Sequence, residues 1–317
     1  MSLSDFDKYF MNLPQLDRGE GFDDFWEKSI SQLKRINIDL YMDKSNRKSA
    51  GPFKLFDVTF RGFAKASVHG TLYQNPKIKK PKVIIYLHDY NNCTELPVST
   101  LDPSFAYFFL RMRGHSLVEL TKNDVEMEVK APGFATENIL DPDSYYVKAI
   151  YLDAYRLIDA LRLIPDIDCS SIGIIGKGLG AAAAMFCGCM HERISAIVLD
   201  SPLFANIPLC QNKSTSILAD EINSYLMSST KSNRTRIKNN LILFDILNFT
   251  DKIERPVLVV TGLKDTMAHP GCTIGFLNRL VTDKTIEIYP EEGNTAGGNE
   301  QTVKSIKWLK EKIHSLN

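Results

Sequence analysis

The sequence predicts an α/β protein with a doubly wound, mostly parallel sheet, and three observations lead to that prediction. Residues 81–88 (PKVIIYLH) form a continuous apolar run, which is typical of a strand buried on both faces. Residues 171–185 (SIGIIGKGLGAAAAM) combine an apolar run, a glycine turn and an alanine-rich segment, the pattern of strand, tight turn and helix. From residue 81 onward such segments alternate, as expected for parallel strands joined by helices.

Two features are expected before this alternation begins. Residues 1–36 predict an N-terminal arm that ends in a helix, because apolar side chains recur at helical spacing between residues 25 and 36. Residues 53–63 and 67–75 alternate between apolar and polar side chains, which predicts two strands joined by a short turn around Gly62. This hairpin is expected to precede the main sheet.

The later elements follow in regular order. The patterns predict, in turn, a helix near 103–112, a strand at 115–120, a helix at 145–164, a strand at 171–176, a helix at 181–190, a strand at 194–200, a strand at 256–262, a helix at 271–281, a strand at 284–290 and a helix at 299–313. The polar segment 202–250 follows the sixth main strand and is predicted to be a helical lid insert over the carboxyl edge of the sheet. Residues 1–317 are expected to form a single domain.

Composition excludes several classes of function. The chain has 317 residues, and its 38 basic residues balance 38 acidic ones, so no global field favours nucleic acid or an anionic membrane. With no signal-peptide pattern and no run of 18 apolar residues, the protein is expected to be cytoplasmic, with its six cysteines reduced. Cys187, Cys189 and His191 are not expected to bind metal, because positions i and i+2 of a helix point to different faces.

The glycine turn allows two interpretations. As a dinucleotide-binding fingerprint it has Gly176, Gly178 and Ala181, with Asp200 at about the distance of a ribose-binding acid. As a G-x-S-x-G nucleophile elbow it has both outer glycines, Gly176 and Gly180, but a glycine where the serine would stand. The two interpretations imply different chemistry, phosphate binding in one case and nucleophilic catalysis in the other.

Three observations favour the elbow of an α/β-hydrolase. A dinucleotide-binding domain normally opens with its fingerprint strand, whereas at least two sheet strands and a long helix come first here. Residues 86–92 (YLHDYNN) end a parallel strand with a polar turn of the type that contributes a backbone N–H to an oxyanion hole. Asp265 follows the strand at 256–262, which gives the order of nucleophile, acid and base expected of this fold.

The order of seven segments resembles one esterase family. The segments are FDDFWEKSISQLKRI, LFDVTFRGFAKASVHGTLYQNP, VIIYLHDYNN, ILDPDSYYVKAIYLDAYRLIDAL, IGIIGKGLGAAAA, FDILNFTDKIERPVLVVTGLKD and IEIYPEEGN. Together they resemble the acetyl xylan esterase and cephalosporin-C deacetylase family of carbohydrate esterases along nearly the whole chain. The resemblance implies a serine esterase that removes acetyl groups from sugars and related small esters, subunits assembled in a homo-oligomeric ring, and no metal or organic cofactor.

The family's functional residues match this chain unevenly. Tyr90 and Leu179 match the two residues whose backbone N–H groups form the oxyanion hole, and Asp265 matches the acid. The nucleophile position is Gly178, which has no side chain, and the base position is Asn294. Because acyl transfer needs a hydroxyl and an imidazole, the sequence predicts a pseudo-esterase that keeps the pocket and binds an acetyl ester or a sugar.

Four further expectations accompany these substitutions. The family's R-G-Q motif is replaced around residues 123–125, Asn123, Asp124 and Val125. One alternative is an active hydrolase with relocated groups, in which His269 replaces the base. A weaker alternative is nucleotide or anion binding at the glycine turn, with Lys177 on a phosphate. If only the triad is lost, changing Gly178 to Ser and Asn294 to His together is expected to restore hydrolysis.

Overall fold

Parallel strands form most of the sheet. The computed structural model describes residues 5–48, 51–90, 92–115 and 133–314, and these contain one nine-stranded sheet. Its strands are β1 (Tyr41–Lys44), β2 (Lys54–Arg61), β3 (Ser67–Gln74), β4 (Lys82–Leu87), β5 (Ala106–Arg111), β6 (Asp168–Lys177), β7 (Ile194–Asp200), β8 (Val257–Gly262) and β9 (Lys284–Tyr289). Their order is β1-β2-β3-β5-β4-β6-β7-β8-β9, antiparallel from β1 to β5 and parallel from β5 to β9.

Helices connect the parallel strands and cover the sheet. They are α1 (Asp5–Met11), α2 (Phe22–Lys34), α3 (Tyr146–Leu161), α4 (Leu179–Met190), α5 (Ile207–Cys210), α6 (Ile217–Ser228), α7 (Lys231–Ile242), α8 (Pro270–Arg279) and α9 (Gly298–His314). The side chains of β4 alternate between two apolar clusters, with Ile85 and Leu87 in one and Ile84 and Tyr86 in the other. This strand is therefore buried on both faces, which confirms the α/β prediction drawn from its sequence.

One predicted helix is wrong. The segment expected to be helical near 103–112 contains β5 instead, which pairs in parallel with β4. Its run of aromatic and apolar residues suits a strand buried on both faces, since Phe108 belongs to one apolar cluster and Phe109 to the other. The strand predicted at 115–120 lies outside the described residues apart from His115.

The N-terminal segment packs against the rest of the chain. Trp26 of α2 is 1% exposed, and its Nε1 donates a hydrogen bond to the carbonyl oxygen of Leu243 at 3.1 Å. Its ring lies against those of Phe186 and Phe244. In α1, Tyr9 packs edge-on against the ring of a histidine that caps α8.

The antiparallel strand β1, which the sequence pattern did not predict, extends the sheet beyond the predicted hairpin.

The segment 202–250 is helical, as predicted. It follows β7 and contains α5, α6 and α7, and because β1 was not foreseen the preceding strand is seventh rather than sixth. Ser216 and Thr230 cap α6 and α7 by accepting backbone N–H hydrogen bonds. The lid role of this segment stays a prediction.

Among the helices of the described residues, none has the length and apolar character needed to cross a membrane.

Candidate active site

The turn between β6 and α4 has the shape of a nucleophile elbow without a nucleophile. Gly178 has φ 55° and ψ −117°, a left-handed conformation in which side chains are strained. A Cβ atom on Gly180 would lie 2.2 Å from the carbonyl oxygen of Leu87, and one on Gly176 would lie 2.3 Å from the carbonyl oxygen of Gly180. The outer glycines therefore let α4 approach the end of β4 closely.

The carboxylate of Asp89 occupies the position where the catalytic groups would act. Its Oδ1 atom accepts hydrogen bonds from the backbone N–H of Tyr90 at 2.7 Å and of Leu179 at 3.0 Å. These are the two predicted oxyanion donors. A Cβ atom built on Gly178 would lie 1.8 Å from Asp89 Oδ1 and 2.1 Å from its Cγ. The carboxylate thus takes both donors and also fills the space of a nucleophilic side chain.

The charge of Asp89 is buried and only partly compensated. Asp89 is only 5% exposed, and this burial raises the pKa of its carboxyl group. The two backbone N–H donors and the cation of Lys177 act in the opposite direction and lower the same pKa. Lys177 Nζ donates to Asp200 Oδ2 at 3.0 Å and to the carbonyl oxygen of Asn294 at 2.8 Å. The cation next to the elbow is therefore already paired within the chain.

The predicted acid has an unused hydrogen-bonding atom. Asp265 is 2% exposed, and its Oδ1 accepts hydrogen bonds from the backbone N–H of Met267 at 2.8 Å and of Ala268 at 2.9 Å. Its Oδ2 is buried and has no hydrogen-bond partner. In a catalytic triad one carboxylate oxygen accepts the Nδ1–H of the histidine, so Oδ2 is the atom that lacks its imidazole.

Asn294 lies on the loop that reaches the elbow. Besides the bond from Lys177 to its carbonyl oxygen, the preceding residue is close to the acid, because a Cβ on Gly293 would lie 3.9 Å from the Cα of Asp265. The loops that carry Gly178, Asp265 and Asn294 therefore meet at one edge of the sheet, where β6 and β8 end.

Of the histidines near this edge, His88 and His269 both have structural contacts. The Nε2 atom of His88 accepts from the backbone N–H of Met112 at 3.0 Å, so Nδ1 carries the proton and donates to the Asp89 carbonyl oxygen at 2.7 Å. Burial lowers the pKa of His88 to about 4, which keeps it neutral. His269 caps α8, where its Nδ1 accepts from the backbone N–H of Gly271 at 3.1 Å. The described contacts of His269 run to α1 and α8 rather than to the elbow.

A shallow, open cleft on α6 lies next to the contact between Tyr90 and Glu221. The hydroxyl of Tyr90 donates to Glu221 Oε2 at 2.8 Å, and the backbone N–H of Ala135 donates to the same hydroxyl at 2.9 Å. Glu221 belongs to α6, so this bond connects the 202–250 segment to the oxyanion turn. Hydroxyl, carboxylate and aromatic side chains line the cleft, and they come from Thr136, Asp220, Glu221, Ser224, Tyr225 and Ser228.

Sequence reasoning missed two of these features. It treated the turn before Tyr90 as a source of backbone donors and did not consider the Asp89 side chain, whose only signal is a carboxylate directly before the donor. It also did not single out Glu221. Asn123, Asp124 and Val125 lie outside the described residues. Nowhere in the described ranges do His, Cys, Asp and Glu side chains cluster in a way that could hold a metal, and this includes Cys187 and Cys189.

A family model and a characterised esterase both match nearly the whole chain. The model for acetyl xylan esterase (AXE1) matches residues 1–312. Among characterised proteins, the acetyl esterase Axe7A of Xylanibacter ruminicola is 22% identical over 311 residues, which covers 95% of this chain and 69% of that protein.

Solved structures show the same fold. The acetyl xylan esterase of Paenibacillus sp. R4 superimposes with a TM-score of 0.86 at 20% identity, covering 98% of this chain and 100% of that one. Acetyl xylan esterase 1 of Thermoanaerobacterium sp. JW/SL YS485 gives a TM-score of 0.81 at 18% identity, with coverage of 96% and 99%. The Pyrococcus furiosus esterase Pf2001 gives 0.57 at 16% identity, with coverage of 86% and 98%. The α/β-hydrolase fold predicted from the order of motifs is confirmed.

Proposed function

Because the chain belongs to the acetyl xylan esterase family, whose model matches residues 1–312, we propose that it is a catalytically impaired esterase that binds an acetylated sugar or a small ester. Members of this family are carbohydrate esterases with an α/β-hydrolase fold. The proposal is that this chain keeps the fold and the binding cleft but does not transfer acyl groups.

The position of the Asp89 carboxylate carries the proposal. During ester hydrolysis an oxyanion hole donates two hydrogen bonds to the negative charge that develops on the carbonyl oxygen. Here both N–H groups already donate to the carboxyl group of Asp89, so they are not available to a substrate carbonyl. An ester carbonyl would have to displace Asp89 before it could be polarised. Gly178 and Asn294 thus account for only part of the impairment.

The three losses act on one reaction. Without a hydroxyl at residue 178 no acyl-enzyme forms, and without an imidazole at residue 294 no group takes and returns the proton. Removing triad members of a serine hydrolase costs about four to six orders of magnitude in rate, and what remains comes from the oxyanion hole and substrate binding. Because Asp89 fills the hole, this residual contribution is also removed.

The cleft beside Tyr90 supports ligand binding. Its hydroxyl, carboxylate and aromatic groups are the kinds of side chain that bind sugars through hydrogen bonds and ring contacts, and Glu221 belongs both to the cleft and to the contact with Tyr90. We do not propose nucleotide binding at the glycine turn. The N–H of Leu179 is taken by a carboxylate and Lys177 is paired with Asp200, so an external phosphate would meet a negative charge.

We expect the wild-type protein to hydrolyse p-nitrophenyl acetate and acetylated xylo-oligosaccharides no faster than its Asp265→Asn variant. Asp265 has no imidazole to orient, so its amide replacement should not change the rate. The assay compares both proteins with buffer, and thermal-shift measurements compare acetylated with deacetylated xylo-oligosaccharides. Turnover at ordinary enzyme rates would reject the proposal and favour the alternative of an active hydrolase with relocated groups, with His269 the first residue to substitute.

We also propose that the protein forms a homo-oligomer. Phe10 and Met11 at the end of α1 are 40% and 71% exposed, and this apolar surface is where a second copy of the chain would pack. Multi-angle light scattering at micromolar concentration should give a mass at least twice that of the 35.8 kDa chain. A single species of chain mass would contradict the proposal, and Met11→Lys should lower the oligomer fraction if α1 contributes to the interface.

A further inference from the structure

A second cleft lies at the opposite end of α4 from the elbow. It has a volume of about 610 Å³ and opens where α2 and α4 end, beside the last turn of α3. Because α4 has 12 residues, its two ends are roughly 17 Å apart, and the cleft is separate from the elbow. Its charged side chains are those of Lys34, Arg156, Arg162, Asp159 and Glu192. The proposed function uses none of them.

The deepest of the cations is buried without a full set of partners. Arg156 is 3% exposed, and its described hydrogen bond runs to the carbonyl oxygen of Ile36. The carboxylate oxygen Asp159 Oδ2 lies 3.7 Å from its Nη1, and no atom of the described residues accepts a hydrogen bond from its buried Nε. A guanidinium has five N–H donors, so this buried charge lacks acceptors.

The carboxylate of Asp159 is shared between several donors. Asp159 Oδ1 lies 3.9 Å from Arg162 Nη1 and 3.5 Å from His191 Nε2. The Nδ1 atom of His191 accepts the backbone N–H of Arg193 at 3.3 Å, so Nε2 carries the proton and is a donor. Because N–H···O hydrogen bonds are typically about 2.7–3.2 Å long, Asp159 screens these donors without saturating them.

Charge at helix ends explains only part of this arrangement. Lys34 is the last residue of α2 and Arg162 is the C-cap of α3, where cations offset the partial negative charge of a helix C-terminus. This accounts for the two exposed cations at the rim of the cleft. It does not account for Arg156, which lies in the interior of α3 and is buried.

We propose that this cleft binds a phosphate group, either inorganic phosphate or the phosphate of a small monoester. Lys34 and Arg162 at the rim would donate to its oxygens, and the buried charge of Arg156 would attract it from below. A phosphate presents acceptor oxygens in several directions, which suits an ammonium and a guanidinium that come from different helices. The apolar part of the wall would contact the organic group of a monoester. It comes from Ile38, Leu163 and Met190.

Titration of the native protein with sodium phosphate, followed through its amide resonances, tests this inference. The three cations outnumber the carboxylates of Asp159 and Glu192 by one, so we expect a moderate dissociation constant, on the order of 1 mM at low salt. Saturable shifts are expected for residues 155–163 and 190–193, with none for Leu179 at the elbow. Sodium acetate at equal ionic strength should bind more weakly. Glycerol phosphate distinguishes the two sources, because tighter binding than inorganic phosphate indicates a monoester.

Two variants separate a specific site from general attraction of anions. Arg162→Gln removes a donor at the rim and should weaken phosphate binding by at least about 10-fold, as expected for the loss of a hydrogen bond to a charged group. Its side chain is 49% exposed, so the fold should be kept. Arg236→Gln is the matched control: it removes an exposed cation of α7 and should bind phosphate as the wild type does.

Several results would overturn the inference, and none depends on ester binding or hydrolysis. Shifts that grow linearly with phosphate concentration would show that no site exists. Equal affinity for acetate, or equal affinity in Arg162→Gln, would remove the assigned chemistry. Shifts confined to Leu179 and its neighbours would place the anion at the elbow instead. The wild-type titrations alone decide all but one of these outcomes, so a variant that fails to fold does not affect them.

Discussion

Adding Asp89→Gly to a protein that carries Gly178→Ser and Asn294→His is expected to raise acetyl-ester hydrolysis by at least about 10³-fold over that double variant. The sequence alone suggested that the double change would suffice. The structure revises this expectation, because the serine Cβ would lie 1.8 Å from Asp89 Oδ1. The new side chain and the carboxylate cannot occupy the same space, and the carboxylate also keeps the oxyanion donors.

Removing the carboxylate frees both requirements of the reaction. The N–H groups of Tyr90 and Leu179 become available for the oxyanion, and the serine side chain gains the volume that the carboxylate held. The measurement is kcat/KM for p-nitrophenyl acetate, with each protein checked for folding by thermal unfolding. Serine at the strained elbow position costs about 1 to 3 kcal/mol of stability, so the assays should be run well below the melting temperature.

Asp89→Asn in the same background is the matched control. Its side chain has the same shape and keeps an acceptor oxygen for the two N–H groups, so the hole should stay filled and the rate should stay near that of the double variant. Equal activity in the asparagine and glycine versions would contradict the role assigned to Asp89. An inactive but folded glycine version would show that the pocket differs from an esterase in more than these three residues.

In the restored protein, Asp265→Asn is expected to lower the recovered kcat by at least about 100-fold, with KM little changed. The unused Oδ2 atom of Asp265 should accept the Nδ1–H of the new imidazole and stabilise its protonated form. An amide there presents either a weaker acceptor or an N–H donor, which favours the wrong tautomer. The same change in the wild-type protein should have no effect, because no imidazole is present.

The pH dependence provides a second measurement of the same contact. A carboxylate next to an imidazole raises the imidazole pKa, and the reaction needs the neutral base. The rise of kcat/KM with pH should therefore occur at lower pH in the Asp265→Asn version than in the restored protein. An unchanged profile together with full activity would contradict the assignment of Asp265 as the acid.

Much of the fold follows from local pattern. The continuous apolar run at residues 81–88 is enough to predict a strand that is buried on both faces. The glycine turn within residues 171–185 is enough to predict a strand, a tight turn and a helix. The segment 106–111 was not predicted as a strand, because its short aromatic run suits a buried strand or a buried helix equally by periodicity. The segment forms a strand because it pairs with β4, and β4 lies about 20 residues earlier in the chain, outside the local sequence pattern.

The site was only partly predictable for a related reason. The order of Gly178, Asp265 and Asn294 along the chain indicates which loops meet, since parallel strands present their carboxyl ends at one edge. The direction of the Asp89 side chain is not encoded by its neighbours in sequence. It depends on how closely α4 approaches β4 at Gly180, which brings the N–H of Leu179 within 3.0 Å of the carboxylate.

The backbone amide resonance of Leu179 tests the central claim most directly. If the carboxylate of Asp89 accepts the Leu179 N–H, this amide should titrate with Asp89, with a midpoint above the ordinary range of an aspartate, because burial raises that pKa. The titration should disappear in Asp89→Gly and in Asp89→Asn, although Leu179 lies 90 positions away in the chain. A Leu179 amide that behaves identically in all three proteins would contradict the account.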